Sequence, residues 1–200
     1  MKKIKEILIG THNNGKFKEL SYLLPKKIKK ISPKKLGIKS PKENGKSFLA
    51  NSKIKAKYFY KHSKIKTLSD DSGLSIDCLN GKPGIYSARW SKRYGGFKNA
   101  MKKIIKMVRD KNKKAREKNT KANFVCSLTL YFKKGKSESA EGKIYGNISE
   151  KIKGKNGFGY DPIFIPKNYK VTFGEMSKKK KIMMDHRYIA YKKLKKKINI

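Results

Sequence analysis

The chain has 200 residues, with 54 Lys and Arg against 14 Asp and Glu, a formal net charge of +40 and 36% hydrophobic residues. That length is about one ordinary domain, and the apolar residues fall into periodic groups, which excludes an extended disordered polyelectrolyte. The apolar run Ile7-Leu8-Ile9 is far too short for a signal core or a membrane span, and Cys78 and Cys126 lie in apolar segments without metal-ligand spacing. They read as buried free thiols of a cytoplasmic protein.

The charge by itself points to polyanions. Only Arg89, Arg93, Arg109, Arg116 and Arg187 are arginines, so the excess is almost all Lys. Surfaces that read bases favour the bidentate fork of Arg, so no specific nucleic-acid partner is expected. Lysines spread among abundant Ile and Asn fit a codon bias as well as a binding surface, and a positive field still draws in nucleotides.

In chain order, Ile4 to Ile9 reads as a strand, followed by the loop Gly10-Thr11-His12-Asn13-Asn14-Gly15-Lys16 and a helix with Phe17, Leu20, Leu23 and Leu24 on one face, stopped by Pro25. Strand, glycine-containing loop and helix aim free N–H groups at an anion. The loop departs from the phosphate-loop pattern, because Phe17 stands where that pattern needs a hydroxyl. A short strand at 28–31 and a basic loop containing Glu43 precede a helix from Ser47 to His62, which carries Lys55.

The next stretch holds the side-by-side carboxylates Asp70 and Asp71 at the end of a strand from Ile65 to Leu68. A Ser72-Gly73 turn and a second strand, Leu74 to Leu79, are expected after it. Adjacent carboxylates repel unless a cation or a proton relieves them. Lysine or magnesium could do so, or the pair could form an Asx turn. Beyond the 81–84 loop, periodicity predicts a helix from Phe97 to Lys111 and then two antiparallel strands, Asn123 to Phe132 and Ser139 to Ile148, joined at Lys134-Gly135. Asn156 to Pro166 interleaves glycines with aromatics, suited either to a tight turn with core rings or to a flat ligand. The tail from Met176 onward reads mainly as a helix, with Asp185 as N-cap before His186 and Arg187.

Six motifs in this order resemble the inosine triphosphate pyrophosphatase family, also called XTP/dITP diphosphatases: Thr11 to Lys16, Glu43 to Ala56, Asp70 to Leu74, Pro83 to Arg89, Gly157 to Phe164, and Glu175-Met176 with His186-Arg187. The resemblance runs from about Ile7 to about Leu194. It implies an α/β fold, an elongated mixed β-sheet with flanking helices, in two lobes around a central nucleotide-binding cleft. It also implies a homodimer, with residues 1–200 forming one pyrophosphatase domain that cleaves deaminated purine nucleoside triphosphates to monophosphate and pyrophosphate. Carried over by position, Thr11, His12, Asn13, Asn14, Gly15 and Lys16 cradle the phosphates and Lys55 adds charge. Glu43 and Asp71 hold Mg2+, and Asp71 is the base for the attacking water. Ser72, Phe158, Gly159, Tyr160, Asp161, Lys181, His186 and Arg187 contact the nucleotide, with Phe158 on the purine and Arg187 on its keto oxygen. Lys181 stands in a run of four lysines, any neighbour of which could be the matching one. Ala50 and Asp185 depart from the residues usual in relatives, Glu and Ser.

The chemistry is consistent with that resemblance. A triphosphate repels a nucleophile, so its hydrolysis needs cations to mask charge and a carboxylate to position water. On the residues alone, a Lys-rich nucleic-acid binder and a Maf-type nucleotide pyrophosphatase remain alternatives.

Overall fold

The structure is a computed structural model that describes residues 4–113 and 115–198. Its strands are β1 (Glu6–Ile9), β2 (Lys29–Ile31), β3 (Thr67–Ile76), β4 (Lys121–Lys133), β5 (Lys136–Ile148) and β6 (Phe164–Pro166). Its α-helices are α1 (Asn14–Leu23), α2 (Phe48–Ser63), α3 (Ser87–Arg93), α4 (Phe97–Lys113), α5 (Lys178–Ile182) and α6 (His186–Ile198). The strands form one sheet in the order β2-β1-β3-β4-β5-β6. β1 is parallel to both β2 and β3, and β5 is antiparallel to β6. Pairs Ser127–Glu141 and Thr129–Ser139 bond across the β4–β5 hairpin in antiparallel register. This is the mixed α/β sheet with flanking helices that was expected.

Local chemistry sets most element ends. Asn13 caps α1 by accepting from the Lys16 amide at 3.0 Å, and Leu24, preceding Pro25, is forced extended and stops the helix. Ser47 caps α2 through the Ala50 amide at 3.1 Å. Gly135, with φ of 75°, turns the hairpin at the expected place.

Four expectations are corrected. No turn interrupts β3 at Ser72-Gly73; the strand runs unbroken from Thr67 to Ile76, so Asp70 and Asp71 sit inside it rather than at its end. Eight of its ten residues are buried, and a turn there would bury amides that the sheet ladder instead satisfies. The strand expected to reach Leu79 stops at Ile76, where Asp77–Leu79 turns into a short 3-10 helix; beyond the 81–84 loop, where no element was assigned, lies α3, a helix too short to show a period. The tail is two helices, broken at 183–185. Cys78 is half-buried, whereas Cys126 is buried.

The chain divides into two compact units. The first comprises the chain up to Asp71, Cys126–Gly142 and the chain from His186. β1 is covered on both faces, as a central parallel strand must be. Ile7 and Ile9 pack with Leu20, Leu68, Leu128 and Leu194, while Leu8 packs with Ile31 and Phe59. The second unit comprises Ser72–Val125 and Lys143–Asp185. Its core gathers Leu74, Ile76, Ile104, Phe124, Phe164 and Phe173, with Phe124 edge-on to Phe164 at 4.8 Å. Among the described residues, no helix is long and apolar enough to cross a membrane.

Candidate active site

In the first unit, everything converges on the two aspartates of β3. Successive strand residues project to opposite faces, so each carboxylate meets its own set of cations. On one side Asp70, fully buried, lies 3.1 Å from the Lys16 ammonium and 3.5 Å from the Arg187 guanidinium. Arg187 also donates to Glu19 at 2.8 Å, closing a run of alternating charges, Lys16–Asp70–Arg187–Glu19, of which only Lys16 is partly exposed. α1 supplies Lys16 and Glu19, and α6 supplies Arg187. The start of α6 is seated by Gly142, where any side chain would collide with the His186 carbonyl and the Ala190 amide. His186 is itself buried in that first turn.

On the other side, Asp71 faces α2. Lys55 Nζ lies 3.3 Å from Asp71 Oδ1 and 2.8 Å from Glu43 Oε1, and Asn51 donates to Asp71 Oδ2 at 3.1 Å. Asn51 in turn accepts from the Gly45 amide at 2.8 Å, which ties the loop carrying Glu43 to the start of α2. The repulsion expected between adjacent carboxylates is thus reduced by strand geometry and by a cation in contact with each.

The two environments push the carboxylates apart in acidity. Burial alone would raise Asp70, but Lys16, Arg187 and Lys55 override it and hold the group well below the usual carboxylate range. For Asp71 burial wins: its pKa is raised despite Lys55 and Lys16, with Glu43 and Asp70 adding to the rise. Burial also works against charge on Lys55, yet Asp71, Asp70 and Glu43 together hold its ammonium above its ordinary range.

Glu43 and Asp71 are hard oxygen donors that already share one cation, the Lys55 ammonium. Magnesium is commonly held by one or two carboxylates together with waters and substrate phosphates, so this pair fits it. Among the described residues no group of three or more His, Cys, Asp or Glu could hold a metal ion, so phosphate and water would complete the shell.

Thr11, His12 and the cap Asn13 form the loop before α1, whereas Asn14, Gly15 and Lys16, expected in that loop, already belong to the first turn of the helix. The Asn13 amide donates to the Thr11 hydroxyl at 3.2 Å, and exposed His12 meets the Ser40 hydroxyl at 2.7 Å.

In the second unit, Ser72 continues β3 and is half-buried. Phe158, Asp161 and Lys181 form one cluster. Asp161 Oδ2 accepts from the Phe158 amide at 2.8 Å and pairs with Lys181 Nζ at 2.8 Å, while that ammonium lies 4.9 Å from the centre of the Phe158 ring. Lys181 is 2% exposed whereas Lys178, Lys179 and Lys180 are all exposed, so it alone of the run is built into the fold. Gly157 has a φ of +74°, and a side chain there would strike the Asp161 carboxylate. Tyr160, of the same turn, is buried: its hydroxyl donates to the Ser87 carbonyl at 2.9 Å, and burial pushes its pKa up. Gly159, with φ of 67°, completes the turn.

The sequence profile of the Ham1 family matches residues 7–197. This chain belongs to the Ham1 family. The dITP/XTP pyrophosphatase of Zymomonas mobilis is 37% identical over 189 residues, covering 94% of this chain and 89% of the relative. That of Rhodopseudomonas palustris is 39% identical over 197 residues, covering 94% and 93%. Among solved structures, a HAM1 protein from Coxiella burnetii matches with a TM-score of 0.86 at 29% identity, covering 98% of this chain and 99% of that one.

Two residues of this Ham1 chain escaped the sequence reading. Glu19 is a carboxylate one position before Leu20 on the buried side of α1, an unusual place for a charge. Asn51 precedes Lys55 by one helical turn on the face that carries Phe59. In both, the signal was a polar residue inside an apolar stripe.

Proposed function

We propose that this chain hydrolyses deaminated purine nucleoside triphosphates, dITP, XTP and ITP, to the nucleoside monophosphate and pyrophosphate, removing them from the nucleotide pool. Residues 1–200 act as a single pyrophosphatase domain, as a cytoplasmic homodimer. The observation that carries this reading is the placement of Asp70 and Asp71 within a Ham1-family chain, with Asp70 fully buried against Lys16 and Arg187 and Asp71 facing Lys55 and Asn51 beside Glu43. Neighbouring carboxylates pushed to opposite acidities suit opposite tasks.

Asp70 stays ionised and fixes Lys16 and Arg187. Asp71, the more basic carboxylate, takes the proton of a water that attacks the α-phosphorus, while Asn51 holds its Oδ2 in place. The bond from the α-phosphorus to the bridging oxygen breaks and pyrophosphate leaves. Thr11, His12, Asn13, Asn14, Gly15 and Lys16 bind the phosphates, and Lys55 offsets the charge that develops on the leaving group. Glu43 and Asp71 would hold a divalent cation, magnesium, which masks phosphate charge and eases departure of pyrophosphate. Phe158 stacks on the purine and Arg187 donates to its keto oxygen. Ser72, Gly159, Tyr160, Asp161, Lys181 and His186 complete the nucleotide contacts.

The test is turnover with dITP, XTP, ITP, ATP and GTP in the presence of magnesium, with both phosphate products assayed. Pyrophosphate from the deaminated nucleotides is expected. Orthophosphate with a nucleoside diphosphate, or equal rates on ATP, would overturn the reading.

A further inference from the structure

A separate cavity lies wholly within the second unit, and none of its lining residues belongs to the set described above. Its volume is about 440 Å³, within the range of small-molecule sites, about 300–1,000 Å³. Its walls come from the C-terminal half of α4, the stretch entering β4 and the stretch leaving β5.

Ile105, Val108 and Ile148 supply an apolar wall. Val108 and Ile148 are each 4% exposed and belong to the core, so that wall is fixed. Around it stand Arg109, Lys113, Lys118 and Lys151, against the single carboxylate of Glu150. Arg109 and Lys113 are four residues apart on α4 and therefore share a face. Arg109 is also one of only five arginines in a lysine-dominated chain.

The frame is tied together without a ligand. Asn112 donates to the Asn119 carbonyl at 3.3 Å and accepts from its amide at 2.9 Å, and the Ile148 amide bonds the Thr120 carbonyl at 2.8 Å. A frame ordered in advance lowers the cost of binding.

We propose that this cavity binds a nucleoside polyphosphate, as a site distinct from the catalytic one. Four cations call for a polyanion, the apolar wall for a flat ring, and Glu150 for hydroxyl or amine donors such as those of a ribose. A fatty acid has no such donors, and an inorganic phosphate has no use for the wall. The inference does not rest on the catalytic reading, because its test reads binding rather than turnover.

The probe is ADP, which lacks the keto oxygen of deaminated purines, titrated calorimetrically into the full chain. Saturable binding is expected, weakened at least ten-fold in the double variant Arg109→Glu/Lys113→Glu, with dITP turnover unchanged. Lys102→Glu/Lys106→Glu, exposed on α4 outside the cavity, removes the same charge and should leave ADP affinity unaltered. If Arg109→Glu/Lys113→Glu does not fold by circular dichroism, Lys118→Glu replaces it with the same expectation. The proposal is overturned by an absence of saturable ADP binding, by equal loss in the control pair, or by undiminished affinity in the cavity variants. It is also overturned if pyrophosphate binds as tightly as ADP, since the wall would then contribute nothing.

Discussion

The Lys16 ammonium lies 3.1 Å from Asp70, a carboxylate with no solvent exposure, so the first turn of α1 is anchored electrostatically to the middle of β3. Asp70→Asn removes the charge that balances both Lys16 and Arg187. Breaking a buried pair costs about 3–5 kcal/mol, and urea unfolding at pH 7 should show a loss on that order. Because the folded pKa of Asp70 is depressed, its contribution is fully present above the ordinary carboxylate value, about 3.9. The difference between wild type and variant should therefore hold steady from pH 7 to about 5 and shrink as the pH falls below about 4.

Asp71→Asn should keep the fold and lose at least about 100-fold in turnover, the scale of a general base. An amide neither accepts the proton nor binds a metal with charge. Glu43→Gln should be milder and should raise the magnesium concentration needed for half-maximal rate. Circular dichroism with a pyrophosphate-release assay checks both variants.

Arg187→Ala should reduce the preference for ITP over ATP by about 1–3 kcal/mol, the worth of one hydrogen bond to the keto oxygen. The readout is the ratio of kcat/KM values. An equal loss on both nucleotides would mean that Arg187 serves only its ion pairs with Asp70 and Glu19.

Lys181→Met leaves Asp161 buried beside an apolar chain and should destabilise the protein by about 3 kcal/mol. Lys180→Met, at an exposed neighbour, should stay within about 0.5 kcal/mol of wild type. Thermal denaturation of the two variants side by side measures the contrast.

Thiol alkylation of the native protein should modify Cys78 and spare buried Cys126. Burial raises the Cys78 pKa above its ordinary value, so less thiolate is present at pH 8 and modification is slow there. The rate should keep climbing beyond pH 9, in contrast to a small free thiol, whose rate levels off earlier.

Several element ends were readable from residues a few positions apart. Ser47 as a cap, Pro25 as a stop, Lys134-Gly135 as a turn and the 3.6-residue spacing of Met101, Ile104 and Val108 all act through bonds or contacts within about one helical turn. The motifs that identify the family were readable for the same reason, since each is a contiguous run. Partnerships made by chain closure were not. Arg187 meets Glu19 across 168 positions, and only the packing of α6 beside α1 brings them together. Likewise β3 continues through Ser72-Gly73 because the strand lies inside the sheet, between β1 and β4, and eight of its ten residues are buried, overriding a local turn signal. The same alternation sends Asp70 to Lys16 and Arg187 and Asp71 to Lys55, and burial singles out Lys181 among four lysines that look alike in sequence. Local hydrogen bonding is written in residue spacing, but burial and charge pairing depend on what the folded chain places alongside.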